Sequence, residues 1–136
     1  MGKRRLSREL VLQALYLSDV SKVPAADAFG GVIVGREGLD AASEAFCRGL
    51  LDGTVEHRAD LDKLIQEITQ NWEMGRLAAV DRCILRLAAY ELLYQPQTPV
   101  GVVIDEALEI AKKYSSEKSA GFINGILDQI KARRPS

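Results

Sequence analysis

Residues 71–94 read NWEMGRLAAVDRCILRLAAYELLY, and their spacing decides the fold. From Gly75 onward the stretch predicts one long helix. Leu77, Val80, Ile84, Leu87, Ala88 and Glu91 recur at helical intervals, and Ala78, Leu85, Ala89 and Leu92 make a second row on a neighbouring face. A helix that is apolar nearly all round belongs in an interior, with other helices wrapped around it. Asp81, Arg82 and Arg86 interrupt the apolar surface and are expected as a charged strip near the outside.

The segments on either side follow the same period. Upstream, a helix from about residue 58 carries Leu61, Leu64, Ile65, Ile68 and Trp72 inward, with Asp60 and Asp62 suited to its first turn. A helix over residues 39–53 is expected to bury Ala42, Phe46, Gly49 and Leu50. His57 lies at their junction, in a structural or solvent-facing place. Residues 22–38 hold one proline and four glycines and read as a connection, with a short helix at residues 25–29. The glycines imitate a phosphate loop only in outline, because the lysine and the Ser/Thr that reach phosphate and magnesium are missing.

The first helix spans about residues 7–21, with Ser7 as its cap. Leu10, Ala14 and Leu17, flanked by Val11 and Leu15, face inward. Arg5, Glu9, Leu12 and Tyr16 fall on roughly the opposite side. The apolar pair Leu12 and Tyr16 is either covered by a second layer or is a docking surface.

Downstream, QPQTP ends the central element. Thr98 as N-cap and Pro99 as first helical residue open the next helix. Its inner face is Val100, Val103, Ile104, Ala107, Leu108, Ala111 and Tyr114, and Glu109 can pair with Lys113 across one turn. A last helix over residues 117–132, capped by Ser115 or Ser116, faces Ala120, Ile123, Ile126, Leu127 and Ile130 inward. Phe122 sits at the edge of that stripe beside Lys118, between the bare positions Gly121 and Gly125. It is either a rim residue of the core or an aromatic that stacks on a base. No segment alternates with a strand period. The expected fold is all-α: a single compact bundle of about six or seven helices around the central buried helix, as one domain over residues 1–136.

The bulk numbers narrow the function. At 136 residues, with an ordinary globular share of apolar and charged residues, the chain is long enough for its own core. No apolar run approaches the roughly 18–20 residues of a membrane span, and the basic start lacks the apolar stretch of a signal peptide. A cytoplasmic protein is expected, with no membrane role. Cys47 and Cys83 are far apart without CxxC spacing and read as buried, reduced thiols. The single histidine, His57, completes no metal site, and no cofactor motif is present. Asp105 and Glu106 are adjacent on a helix, so their side chains diverge by about 100° and do not share a substrate atom. No catalytic residues are expected, and the chain does not read as an enzyme.

Binding remains. A net charge of −1 argues against indiscriminate nucleic-acid binding. Yet Lys3, Arg4, Arg5 and Arg8 crowd the start, and Lys131, Arg133 and Arg134 crowd the end, which allows a local basic site. Arginine offers planar donors to phosphates and bases, and Tyr16 and Phe122 lie at suitable fringes for stacking.

RELVLQALY at the start, DRCILRLAAYELL in the central helix, PVGVVIDEALEIAKKY and SAGFINGILDQI stand in one order along the chain. Together they resemble the NusB family of bacterial transcription antitermination factors. The resemblance covers nearly the whole chain and is weakest over residues 22–38. It implies an all-helical protein that binds boxA, a single-stranded element of ribosomal RNA leader transcripts. It implies binding together with NusE, a small-subunit ribosomal protein, and entry with other Nus factors into the RNA polymerase antitermination complex. By the same resemblance, Lys3, Arg4, Arg5 and Arg8 match the arginine-rich start that meets RNA. Phe122 matches an RNA-contacting aromatic, and Lys118 stands where some relatives carry an acid. Tyr16, Asp81, Arg82 and Arg86 fall on the side that looks toward NusE. Family members occur as monomers and as homodimers, and both stay open here. Two other readings are a helical adaptor without RNA contact and a stand-alone relative of the RNA-binding domain of rRNA cytosine methyltransferases.

Overall fold

A computed structural model describes residues 2–34, 36, 39–70 and 77–135. Among them are seven helices and no strand: α1 (Lys3–Ser21), α2 (Ala25–Ile33), α3 (Ala41–Glu56), α4 (Arg58–Thr69), α5 (Ala79–Tyr94), α6 (Val100–Tyr114) and α7 (Glu117–Lys131). The all-α expectation holds. Among these residues no helix is long and apolar enough to cross a membrane. The helices form two compact units, Met1–Glu56 and His57–Ser136.

In the first unit α1 packs on both α2 and α3. It starts at Lys3, four residues before the expected Ser7 cap, because Lys and Arg are good helix formers and nothing interrupts them. Ser7 is instead a fully buried helical residue whose carbonyl accepts a weak bond from the Cys47 thiol at 3.6 Å. Leu12 is fully buried, so the second-layer alternative holds for it, while Leu17 and Tyr16 stay exposed. The helix stops at Lys22, in the left-handed region at φ 60°, with its N–H returned to the Ser18 carbonyl. The short second helix runs on to Ile33 and buries Phe29 completely. Gly35, Glu37 and Gly38, the end of the glycine-rich run, lie outside the described residues.

The inward face of α3 differs from the expected one. Ser43, Cys47, Leu50, Leu51 and Thr54 are buried, while Ala42 and Gly49 are exposed and Phe46 lies half-buried at the edge. Burial of Thr54 is possible because its hydroxyl donates to the Leu50 carbonyl at 2.7 Å, which satisfies it within the helix. Asp40 caps α3, accepting the Ser43 N–H at 2.7 Å.

In the second unit α5 packs on α4, α6 and α7. Every residue from Cys83 to Leu92 is buried, as the quoted stretch predicts. The α5 helix begins at Ala79, and Leu77 and Val80 are only half-buried. Trp72 and the expected onset at Gly75 lie outside the described residues. His57 is structural: its ring stacks on Tyr94 at 4.0 Å between centroids and neighbours Tyr90 at 6.1 Å. The α6 helix opens one residue later than expected, with Pro99 as N-cap. Thr98 belongs to the preceding turn instead, where its N–H donates to the Gln95 carbonyl. Arg134 clamps that turn, donating to the carbonyls of Gln95 and Thr98 at 2.6 and 2.5 Å. Glu109 takes Lys112 at 3.4 Å. The α7 helix is as expected: Ser116 caps it by accepting the Ser119 N–H at 3.0 Å, and the five expected inward residues are all buried.

Candidate nucleic-acid and partner interface

The basic start of the chain is the first turns of a helix, not a loose arm. This placement is electrostatically awkward. A helix N-terminus carries partial positive charge, and the first turn of α1 has cations, no acid and no side-chain cap. The first turns of α3 compensate. Lys3 Nζ lies 2.7 Å from Asp40 Oδ2, and Arg4 lies over the Phe46 ring with its guanidinium carbon 3.9 Å from the ring centroid. Arg8 approaches the same ring at 5.5 Å.

Asp40 therefore does two things: one oxygen caps α3 and the other holds Lys3. The Lys3 ammonium, and after it the Ser43 N–H, hold the Asp40 carboxyl down at about 2, from an ordinary 3.8. The four cations are not equivalent. The Lys3 side chain is 77% exposed and Arg4 is exposed, whereas Arg5 is half-buried and Arg8 retains only 5% of its surface. Of the four, Lys3 and Arg4 are the ones that face solvent fully. Arg8 is long enough to bury its stem while its head stays by the ring.

The expected charged strip on α5 is corrected. Asp81 is only 8% exposed and accepts the Ser119 hydroxyl at 3.1 Å, which ties α5 to the first turn of α7. Its other oxygen is buried without a hydrogen-bond partner among the described residues. Arg82 is half-buried and donates to the Leu77 carbonyl at 2.6 Å. Arg86 is buried in a two-pronged pair with Asp62 of α4, at 2.6 and 3.1 Å. Asp81 and Arg86 turn inward because each has a partner on a neighbouring helix, which offsets part of the cost of leaving water. Tyr16 of α1, in contrast, is 43% exposed.

On α7, Lys118 is exposed and Phe122 is half-buried. Gly121 and Gly125 beside them are exposed, and a Cβ at either would meet nothing within 4 Å. A half-buried ring with bare backbone and an exposed cation alongside suits a flat, anionic ligand. The Asp81–Ser119 bond puts the α5 candidate next to this turn. Asp40 and Ser119 are residues that the sequence reading missed, and Phe46 and Asp62 it read only as a core position and a helix-start acid. Only Asp40 carries a readable sign, an acid three residues before Ser43 at a helix start.

Known proteins resemble this chain over nearly its whole length. The NusB family model matches residues 5–132. The transcription antitermination protein NusB of Elusimicrobium minutum is 52% identical, over 98% of this chain and 96% of its own. Among solved structures, T. maritima NusB superposes with a TM-score of 0.92 at 34% identity, over 100% of this chain and 94% of that one. A chain from the crystal structure of the antitermination factors NusB and NusE with double-stranded RNA has a TM-score of 0.89 at 26% identity, and each chain is 98% covered.

Proposed function

The chain belongs to the NusB family, and from that premise we propose that it is a transcription antitermination factor that binds boxA-type RNA together with NusE. In this reading it meets boxA in ribosomal RNA leader transcripts and joins the RNA polymerase antitermination complex with other Nus factors. The observation that carries the reading is the family match across nearly the whole chain, which takes in α1 from Arg5 onward and the Phe122 helix alike. The match also crosses both compact units, which supports taking them as one NusB-type domain.

Lys3 and Arg4 supply phosphate contacts, and Arg5 and Arg8 support them from behind. Lys118 and Phe122 supply a second contact, charge and ring together. Tyr16 meets NusE directly. Asp81 contributes to partner binding by holding Ser119, while Arg82 and Arg86 fix the helix that carries Asp81. The chain acts by binding, without catalysis or cofactor, in the bacterial cytoplasm. The related complex contains double-stranded RNA, so single- and double-stranded forms of boxA belong in one test.

That test is a titration of boxA RNA with and without NusE over a range of salt. Binding should tighten with NusE, and log affinity should fall against log salt by roughly 0.7 per phosphate neutralised on a single strand. NusE binding with no RNA signal at any salt would instead make the protein an adaptor.

A further inference from the structure

We propose that Phe46 is a positioning residue of the RNA interface: its ring holds the Arg4 guanidinium in place so that the first turn of α1 presents a preformed donor group to an RNA phosphate. The inference rests on the reading that this turn meets RNA, and it adds a residue on a different helix to the site.

Three observations carry it. The Arg4 guanidinium sits 3.9 Å from the Phe46 ring centroid, inside cation–π range, and Arg8 lies 5.5 Å from the same ring. The ring is itself anchored: Phe46 is half-buried on α3, between the buried Ser43 and Cys47 turns, and Asp40 caps that helix. Arg4 is exposed and makes no ion pair with a carboxylate among the described residues, in contrast to Lys3, which Asp40 holds at 2.7 Å.

The chemistry follows from what each partner uses up. A carboxylate occupies N–H donors of the cation it holds and cancels its charge toward a phosphate. An aromatic ring attracts the cation through its face and occupies none of the five guanidinium N–H groups. Arg4 is therefore ordered without being neutralised. The loss of side-chain freedom that phosphate binding would impose has largely been taken at folding, which is the advantage of preorganisation. The ring also gives Arg4 and Arg8 a reason to stay together near a helix end whose dipole disfavours them.

The test uses the full chain with NusE and a boxA RNA oligonucleotide, titrated across salt. Phe46→Leu keeps an apolar side chain and removes the ring. It should weaken RNA binding about three- to tenfold and flatten the log–log salt slope by roughly 0.7, one phosphate's worth. Phe46→Tyr should restore both. In an Arg4→Ala background, Phe46→Leu should have no further effect, an outcome that a merely structural ring would not produce. Arg4→Lys, which keeps the charge but loses the stacking plane, should match Phe46→Leu and serves if that variant does not fold. Wild-type affinity and slope in Phe46→Leu, or in Arg4→Lys, overturn this inference alone. An undiminished loss in the Arg4→Ala background does the same. A wild-type protein that binds no RNA at any salt overturns the functional reading and this inference with it.

Discussion

Two arginine-bearing stretches of this chain look alike in sequence and have opposite fates. On α1, Arg4 is left exposed over an aromatic ring. On α5, Arg86 is buried against Asp62 by two hydrogen bonds. The difference is the partner. A carboxylate lets a guanidinium leave water and turns it into part of the scaffold. A ring steadies it and leaves its charge and donors for something else. Arginine richness alone does not mark a binding surface; the group facing each arginine does.

Substitutions separate the two classes, and the largest effect should come from the buried member. Arg86→Ala removes the buried half of a part-buried pair and should cost about 2 kcal/mol of stability, read from denaturant unfolding. If RNA affinity fell instead while stability held, the division between scaffold and surface arginines would be wrong. Arg4→Ala should do the reverse. RNA affinity should drop about tenfold, worth ~1.4 kcal/mol, with stability unchanged within about 0.5 kcal/mol. Arg82 is the intermediate case, half-buried with its donor on the Leu77 carbonyl at 2.6 Å. Its alanine variant should lose about 1 kcal/mol of stability by thermal unfolding, with little change in RNA binding.

The smallest effect concerns Lys3, whose ammonium lies 2.7 Å from the Asp40 carboxylate. The Asp40 carboxyl is lowered from 3.8 to about 2, so the pair contributes fully above pH 3.8 and is lost only as pH falls through about 2. Titration of the Asp40 side-chain carbon by NMR should show that midpoint near 2 in the wild type. In a Lys3→Ala variant it should rise toward the ordinary value. A midpoint that ignores Lys3 would mean the pair does not persist in solution.

The sequence was most readable where one helix has two clearly different faces. On α7 the five inward residues follow directly from spacing, because polar and apolar positions do not mix, and the sequence narrows the cap to Ser115 or Ser116, of which Ser116 serves. The interior of α5 was readable for the same reason in the extreme, an apolar surface on all sides. The face of α3 was not, since small and polar residues lie all round it and Thr54 hides its hydroxyl inside its own helix. The start of α1 was missed because the helix continues past a good cap, and its cations are stabilised by α3, more than thirty residues away. The same holds for the site. Lys3, Arg4, Lys118 and Phe122 could be nominated from residue type. That Arg8, Asp81 and Arg86 are buried depends on partners, Phe46, Ser119 and Asp62, that no local pattern connects to them.

Cys47 and Cys83 are both buried, and burial raises the Cys47 thiol above its ordinary 9.0. Both thiols are thus poor nucleophiles toward alkylating reagents at neutral pH. The native chain offers a nearly silent background for maleimide chemistry. A single cysteine placed at exposed Arg36 or Ala132 would take a fluorophore selectively, without first removing the native pair.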